Sequence, residues 1–393
     1  MSQNEIVILS GARTAIGGFG GSLAAITPID LAATVTRAAI ERAGIEADRI
    51  GTVVFGHVLN TEPRDMYLSR AAMLNAGVPN TTPAMNVNRL CGSGVQAIVS
   101  AAQALMLGDA DFAVAGGAES MSRAPYAVPA ARFGAKMGDV QMLDMMVGAL
   151  TCPMGTGHMG VTAENVAREY GVTRAEQDEF ALESQRRAAL AIAEGRFKDQ
   201  IVPVEVKTRK GVVAFDTDEH PKETSLDKLA SLRPAFQKDG SVTAGNASGI
   251  NDGAGALVLA RGDAARAAGL TPAFRVLGYA VAGVRPDIMG IGPIPAVQEL
   301  LRRTGLKAAD FDVIESNEAF AAQALAVSKT LELDPAKVNP NGGAIALGHP
   351  VGATGAIITI KTMHELIRTG GSKGLITMCI GGGQGIALAI ERI

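Results

Sequence analysis

Tryptophan is absent from this sequence, and aromatic residues of all kinds make up only 4% of it. Cysteine is almost as scarce. The three present, Cys91, Cys152 and Cys379, lie far apart with no Cys-x-x-Cys pair. That spacing argues against a disulfide framework and against a cysteine zinc site, and it fits a reduced, cytoplasmic setting. Five scattered histidines form no His-Glu-x-x-His pattern, so no metal is expected. Charged residues are 19% of the chain with a net charge of −3, so no basic face is advertised and nucleic acid is not an expected partner. No stretch reads as apolar for long enough to span a bilayer, so no membrane is expected either. The N-terminal stretch has no basic region ahead of a long apolar run. It reads as a strand over residues 6–9 entering a Gly-rich turn, and no signal peptide is expected.

What the chain has in quantity is small and apolar. Hydrophobic residues are 47% and glycine numbers 47 among 393 residues, enough for two or three core units. An internal repeat organises them. AGIEADRIGTVVFG (43–56) aligns without a gap on TGLKAADFDVIESN (304–317), with Gly44 on Gly305 and Val53 on Ile314. Each is preceded by an apolar-periodic helix, over 31–42 and 296–303. More loosely, residues 91–120 parallel 351–384: a Gly-bounded helix start, an apolar helix, a buried strand, a glycine cluster. Alternating strands and helices imply parallel sheets covered on both faces. The expected fold is therefore α/β, two duplicated halves in one chain. Residues 121–245 break the pattern. They hold a Met/Gly-rich run and a dense helical patch, and they read as an inserted, mainly helical lobe of the kind that forms substrate sites.

Four residues carry chemistry. Cys91 stands at an expected helix N-terminus, where free amides and the helix dipole lower a thiol pKa; it reads equally as a small buried core residue. Cys379 ends an apolar strand ahead of IGGGQG. Those glycines can aim amides at a ligand, but a dinucleotide loop needs a following helix and an acidic residue roughly 20 positions on, and the sequence ends at Ile393. His349 lies in a turn, NGGAIALGHPVGATG, read as tight and exposed, which suits a base; His57, His220 and His364 read as ordinary strand-end or surface residues. Asn317, between a strand and a helix, reads by itself as an N-cap. Pseudo-twofold packing of the halves would bring Cys91 to Asn317, His349 and Cys379: a nucleophile, a base, a second thiol and amide donors, the set that acyl transfer needs.

NRLCGSGVQA, GHMGVTAENVA, TAGNASGINDGAGA, SNEAFAAQ, NPNGGAIALGHPVGATGA and CIGGGQGIA together resemble the thiolases, the acyl-CoA C-acetyltransferases, over nearly the whole chain and in order. The likeness is to bacterial short-chain β-ketothiolases. It implies a five-layered α-β-α-β-α core: residues 1–120 with 246–269 as the N-terminal half, 121–245 as the inserted loop domain, and 270–393 as the C-terminal half. It implies reversible Claisen condensation of acetyl-CoA with acetyl-CoA or another short acyl-CoA, with the acyl group carried as a thioester on Cys91. His349 would deprotonate Cys91, and Cys379 would move the α-proton. Asn317, through a water, would join His349 in one oxyanion hole, with the amides of Cys91 and Gly381 in the other.

Coenzyme A enters this picture as a substrate; the resemblance implies no permanently bound cofactor. Its contacts would be Ser248, Ala247, His158, Met159, Leu150, Ala319 and Phe320, with Met289 shaping the acyl pocket. In EHPKETSLDKL, one residue shorter than the family pattern, Lys222 stands where relatives often carry an arginine; it keeps the charge but loses planar stacking. SRAPYAVPAARFGAKMGD resembles the loop that joins family dimers into tetramers, so a homo-oligomer, a dimer of dimers, is implied. Two rivals remain: a ketoacyl-synthase-like condensing enzyme, against which Cys379–GGG and GHP argue, and a non-catalytic acyl-CoA carrier, which would lack one or more of the four reactive groups. A degradative thiolase of broader chain length is the alternative within the family.

Overall fold

The computed structural model describes residues 5–209 and 211–393. Its framework is a sheet whose nine main strands are β1 (Ile6–Arg13), β2 (Thr52–Gly56), β3 (Ala84–Val87), β4 (Phe112–Ser120), β5 (Asn251–Arg261), β6 (Phe274–Gly283), β7 (Val313–Ser316), β8 (Lys373–Ile380) and β9 (Gln384–Arg392). In space they run β7-β8-β9-β6-β1-β5-β4-β2-β3. The N-terminal five and the C-terminal four join through a short antiparallel contact of β1 with β6, at Val7–Arg275 and Ile8–Phe274.

The duplication is written in the element boundaries. β2 and β7 start at Thr52 and Val313, 261 positions apart (313 − 52). The same offset relates α2 (Ser93–Leu107) to α6 (Thr354–Thr369), and β4 to β8. Helices α1 (Pro28–Ala43) and α5 (Pro293–Thr304) end together on left-handed glycines, Gly44 and Gly305, at φ 66° and 73°. Only glycine adopts that conformation without strain. The fifth strand position, held by β3 in the first half, is reduced in the second to a single bridge, Ile314–Val338.

Period-2 alternation divides the core into layers. Val7, Val53, Val114 and Val258 face α1 in one cluster. Ile6, Ile8, Val54, Ala113 and Leu259 face the other way, into a cluster shared with Val95 and Ile98 of α2, Ile358 and Ile360 of α6, and Ile376 and Leu388 of the second half. A third cluster joins Val297 and Leu300 of α5 to Leu375 and Ala387. The order is helix, sheet, two central helices, sheet, helix. The central pair meets backbone to backbone: a Cβ on Gly94 would fall 2.6 Å from Ala356 N, and one on its counterpart Gly355 would fall 2.4 Å from Val95 N.

Three expectations need correction. The sheet is mixed, not parallel. β2, β3 and β4 run parallel, as do β7 and β8, but β5 and β9 return antiparallel. The reason is the turn after β8, where Gly382 and Gly383 take φ 84° and 88° and join β8 directly to β9; a tight turn can link only antiparallel strands. In the first half the same connection is opened to admit residues 121–250. That segment, besides α3 (Met159–Glu169) and α4 (Arg174–Ala193), carries three two-stranded sheets. One of them, Val204–Thr208 with Gly211–Phe215, is legible in the alternation VEVKT. Finally, Leu90–Leu107 is long and apolar enough by composition to cross a bilayer. It is a core helix instead: its apolar face is buried against the sheets, while Gln96, Ser100 and Gln103 give it a polar, partly exposed edge.

Each glycine of the central contact is expected to be costly to replace. Gly94→Ala and Gly355→Ala should each lower unfolding free energy by about 1–3 kcal/mol through overpacking. The double variant should lose less than the sum, because both changes strain one contact. Denaturant titration of the four proteins measures it; additivity would show that the two helices do not touch there.

Candidate active site

The residues that carry chemistry come from loops at one end of the sheet. Cys91 lies just ahead of α2 in a tight loop held by Ser93, whose hydroxyl donates to Leu90 O (2.6 Å) and accepts from Arg89 N (2.9 Å). Leu90 takes a positive φ of 47°, an uncommon conformation for a branched side chain that turns the chain sharply before the cysteine. A side chain at Gly92 would displace Ile380, since a Cβ would sit 2.5 Å from its Cδ1. The thiol is half-buried, facing a cavity of about 700 Å³.

Cys379, the penultimate residue of β8, is fully buried in an apolar cluster with Met159, Ala247, Met289, Ala319 and Phe320. It lies close enough to Cys91 for a charge there to raise the Cys379 pKa further. The amides of Gly381 and of Cys91 itself point at the Cys91 sulfur.

His349 is buried, not exposed as its turn-rich sequence suggests. Its amide donates to Asn251 Oδ1 (2.9 Å). Its Nδ1 is 2.7 Å from Thr354 Oγ1, and that hydroxyl donates onward to Pro350 O (2.9 Å). A hydroxyl has one proton, so Thr354 accepts from Nδ1–H. Nε2 is left unprotonated, with Asn317 Nδ2 donating to it at 3.4 Å. Asn317 is not an N-cap: the following helix begins at Ala321 with Phe320 at the cap position. Its Oδ1 is buried without a protein partner.

The cavity collects the remaining candidates. Met159, Leu150, Met289, Ala319 and Phe320 line its depth, with Ala247 and Ser248 along one wall and Lys222 exposed at the rim. His158 lines it too. Its Nδ1 accepts from Gly160 N at the head of α3, so Nε2–H is free to donate, and its ring stacks on Phe236 at 4.8 Å. Asn317 and Cys379 stand behind the lining. Sequence reasoning missed Phe236, Thr354, Asn251 and Glu119, because each acts through a contact with residues remote in the chain or on another element. His220, read as an ordinary residue, lines the cavity, and His57 is buried. Among the described residues no group of three or more metal-ligating side chains gathers.

Electrostatics correct the sequence reading at Cys91. Burial outweighs the nearby amides and pushes its pKa up to about 11, with Glu119 adding to the rise. Burial pushes His349 down to about 4. At neutral pH the pair rests as thiol and neutral imidazole, not as an ion pair. Desolvation disfavours both charged forms, and one contact does not offset it.

Such a site, a thiol facing an amide pair with an oriented imidazole and a second thiol behind it, is that of a cysteine acyltransferase. Comparison with known proteins agrees. The family model for the thiolase N-terminal domain matches residues 6–263, and that for the thiolase C-terminal domain matches 270–392. The chain belongs to the thiolase family. It is 61% identical to the beta-ketothiolase BktB of Cupriavidus necator, with 99% of each chain covered. It is 54% identical to the acetyl-CoA acetyltransferase of Escherichia coli over all of both chains. Among solved structures, human mitochondrial 3-ketoacyl-CoA thiolase in complex with CoA superposes with a TM-score of 0.96 at 44% identity, covering 100% of this chain and 98% of that one. The protein is an acyltransferase acting on acyl-CoA substrates.

Two measurements test the site. The alkylation rate of Cys91 by iodoacetamide should keep rising with pH beyond 9, toward about 11, because the thiolate is the reacting form; a plateau by pH 8 would mean a resting thiolate. Thr354→Val should lower kcat roughly tenfold by freeing the His349 ring while leaving KM for CoA unchanged, and Thr354→Ser should restore it.

Proposed function

We propose that the protein catalyses the reversible condensation of acetyl-CoA with a second acetyl-CoA or another short acyl-CoA, by ping-pong acyl transfer through S-acyl-Cys91. The observation that carries this reading is the convergence of Cys91, Cys379, His349 and Asn317, two halves' worth of loop ends, with Cys91 and His349 lining one cavity and Asn317 and Cys379 close behind them.

His349 Nε2 takes the Cys91 proton as sulfur attacks the thioester carbonyl. The amides of Cys91 and Gly381 receive the developing oxyanion. CoA leaves, protonated by Cys379. The Cys379 thiolate so formed is a strong base, because burial holds its pKa high. It takes the α-proton of the second acyl-CoA, and the resulting enolate oxygen is held by His349, now protonated, and by a water on Asn317. The unpartnered Asn317 Oδ1 supports that water. The carbanion attacks the acetyl carbonyl, Cys91 departs as thiolate, and the His349 proton returns to it. Every group ends as it began.

Coenzyme A fits as substrate along the wall of Ser248 and Ala247, with His158 and Phe236 against the pantetheine arm and Lys222 at the nucleotide end. The acyl end faces Met289 and Met159, flexible side chains that adapt to chain length. The loop over residues 122–139 exposes Tyr126, Phe133 and Met137, which supports assembly into a dimer of dimers. Three free cysteines support a cytoplasmic setting.

Cys91→Ala should form no acetyl-enzyme. Cys379→Ala should form it and then stall before carbon–carbon chemistry; condensation at the normal rate would overturn the assignment. Thiolysis across 3-ketoacyl-CoAs from four carbons upward separates a dedicated acetoacetyl-CoA enzyme from the alternative, a degradative thiolase of broader range. Silence across the series would revive the carrier reading.

A further inference from the structure

We propose that Glu119 is a positioning residue: its carboxylate clasps the loop carrying His349 to the N-terminal half, fixing the base of one half against the nucleophile of the other. This rests on the proposed catalytic reading of Cys91 and His349.

Glu119 lies near the end of β4 and is fully buried. Its two oxygens accept three backbone amides. Oε1 takes Leu59 N (3.1 Å), while Oε2 takes Val58 N (3.2 Å) and Gly352 N (2.8 Å). Two of those amides belong to the first half and the third to the second, 233 residues away. Gly352 sits three residues beyond His349, on the only stretch between that histidine and α6.

The loop reaches Glu119 through a notch cut by glycines. A Cβ on Gly117 would fall 2.2 Å from Gly352 O, one on Gly56 would fall 2.7 Å from the same oxygen, and one on Gly352 would fall 2.5 Å from Glu119 Oε2. Side chains have been removed on both sides so that a backbone can enter and one carboxylate can hold it. The duplication does not supply a second clasp, since the counterpart of Glu119 at the 261-residue offset is Ile380. Glutamate is required by donor count. Glutamine has a single acceptor oxygen and an NH₂. In place of Oε1 that NH₂ would face Leu59 N–H and leave it unpaired; in place of Oε2 it would face both Val58 N–H and Gly352 N–H. The titratable groups that face the carboxylate are His57, whose Nδ1 is 3.5 Å from Oε1, and Cys91.

Glu119→Gln tests this in the full-length protein. Thiolysis of acetoacetyl-CoA should lose roughly tenfold to hundredfold in kcat, the scale of a small misplacement of reacting groups. KM for CoA should stay within about twofold, because the CoA wall makes no contact with Glu119. Single-turnover acetylation of Cys91 should slow by the same factor as kcat, and the alkylation profile of Cys91 should move to lower pH as the neighbouring charge is removed. Unchanged kcat would overturn the clasp, as would equal loss of kcat and KM with an unmoved alkylation profile. A wild-type protein inactive on every acyl-CoA would instead sink the catalytic reading. Should the variant fail to fold, hydrogen exchange of the wild-type peptide spanning Gly352 decides: slow exchange of that amide supports the clasp, and exchange at the rate of a free amide overturns it.

Discussion

Everything at the active site depends on how closely two backbones can approach. Gly94 and Gly355, counterparts in the two halves, leave the heads of the central helices in contact with no side chain between them. That contact sets the separation of the halves, and so of every loop that rises beside it. Cys91 precedes one of these helices and His349 precedes the other. A methyl group inserted between the helices would move nucleophile and base apart together. Most of the core is ordinary apolar packing that tolerates exchange at constant volume; this seam does not, because here the packed surface is main chain.

The second constraint is dryness. The four reactive groups stand in or behind a largely apolar cavity. Burial raises both thiols and lowers the imidazole. No single residue is strongly activated at rest. Charge appears during the reaction and is met by fixed amides and an oriented ring, which act strongly because little water competes. The hydrogen-bond chain from His349 through Thr354 to Pro350 O serves the same end, since it fixes the tautomer before substrate arrives.

Much of this was legible in the sequence, for definite reasons. The gapless match of residues 43–56 to 304–317 pointed to the duplication, and its 261-residue offset proves to govern strands and helices that share few identical residues, Gly94 and Gly355 among them. Cys91, Asn317, His349 and Cys379 were visible because each sits where a strand or helix ends, all but Asn317 beside glycines. What was not legible came from contacts across the fold. The antiparallel return of β5 and β9 is invisible to hydrophobic period, which reports burial and not direction. Burial of His349 contradicts its Gly/Pro-rich surroundings, which lie inside because the first half, through Asn251 and Glu119, is pressed onto them. The helix-end argument for an acidic Cys91 weighed local amides and left out desolvation, a property of the whole site. Glu119 lies in a strand that reads as uniform core, and its partner is 233 residues away.

The resting protonation of Cys91 bears on survival as well as on chemistry. Peroxides and other electrophilic oxidants attack thiolates far faster than thiols, and sulfinic and sulfonic acids are not readily reversed. A nucleophile kept permanently ionised would stand ready for substrate and for damage alike. This one is ionised only in concert with an imidazole and an acyl carbonyl. Between turnovers it presents a neutral thiol at the bottom of a narrow, apolar cleft, and the burial that makes its activation depend on substrate also shields it from oxidation.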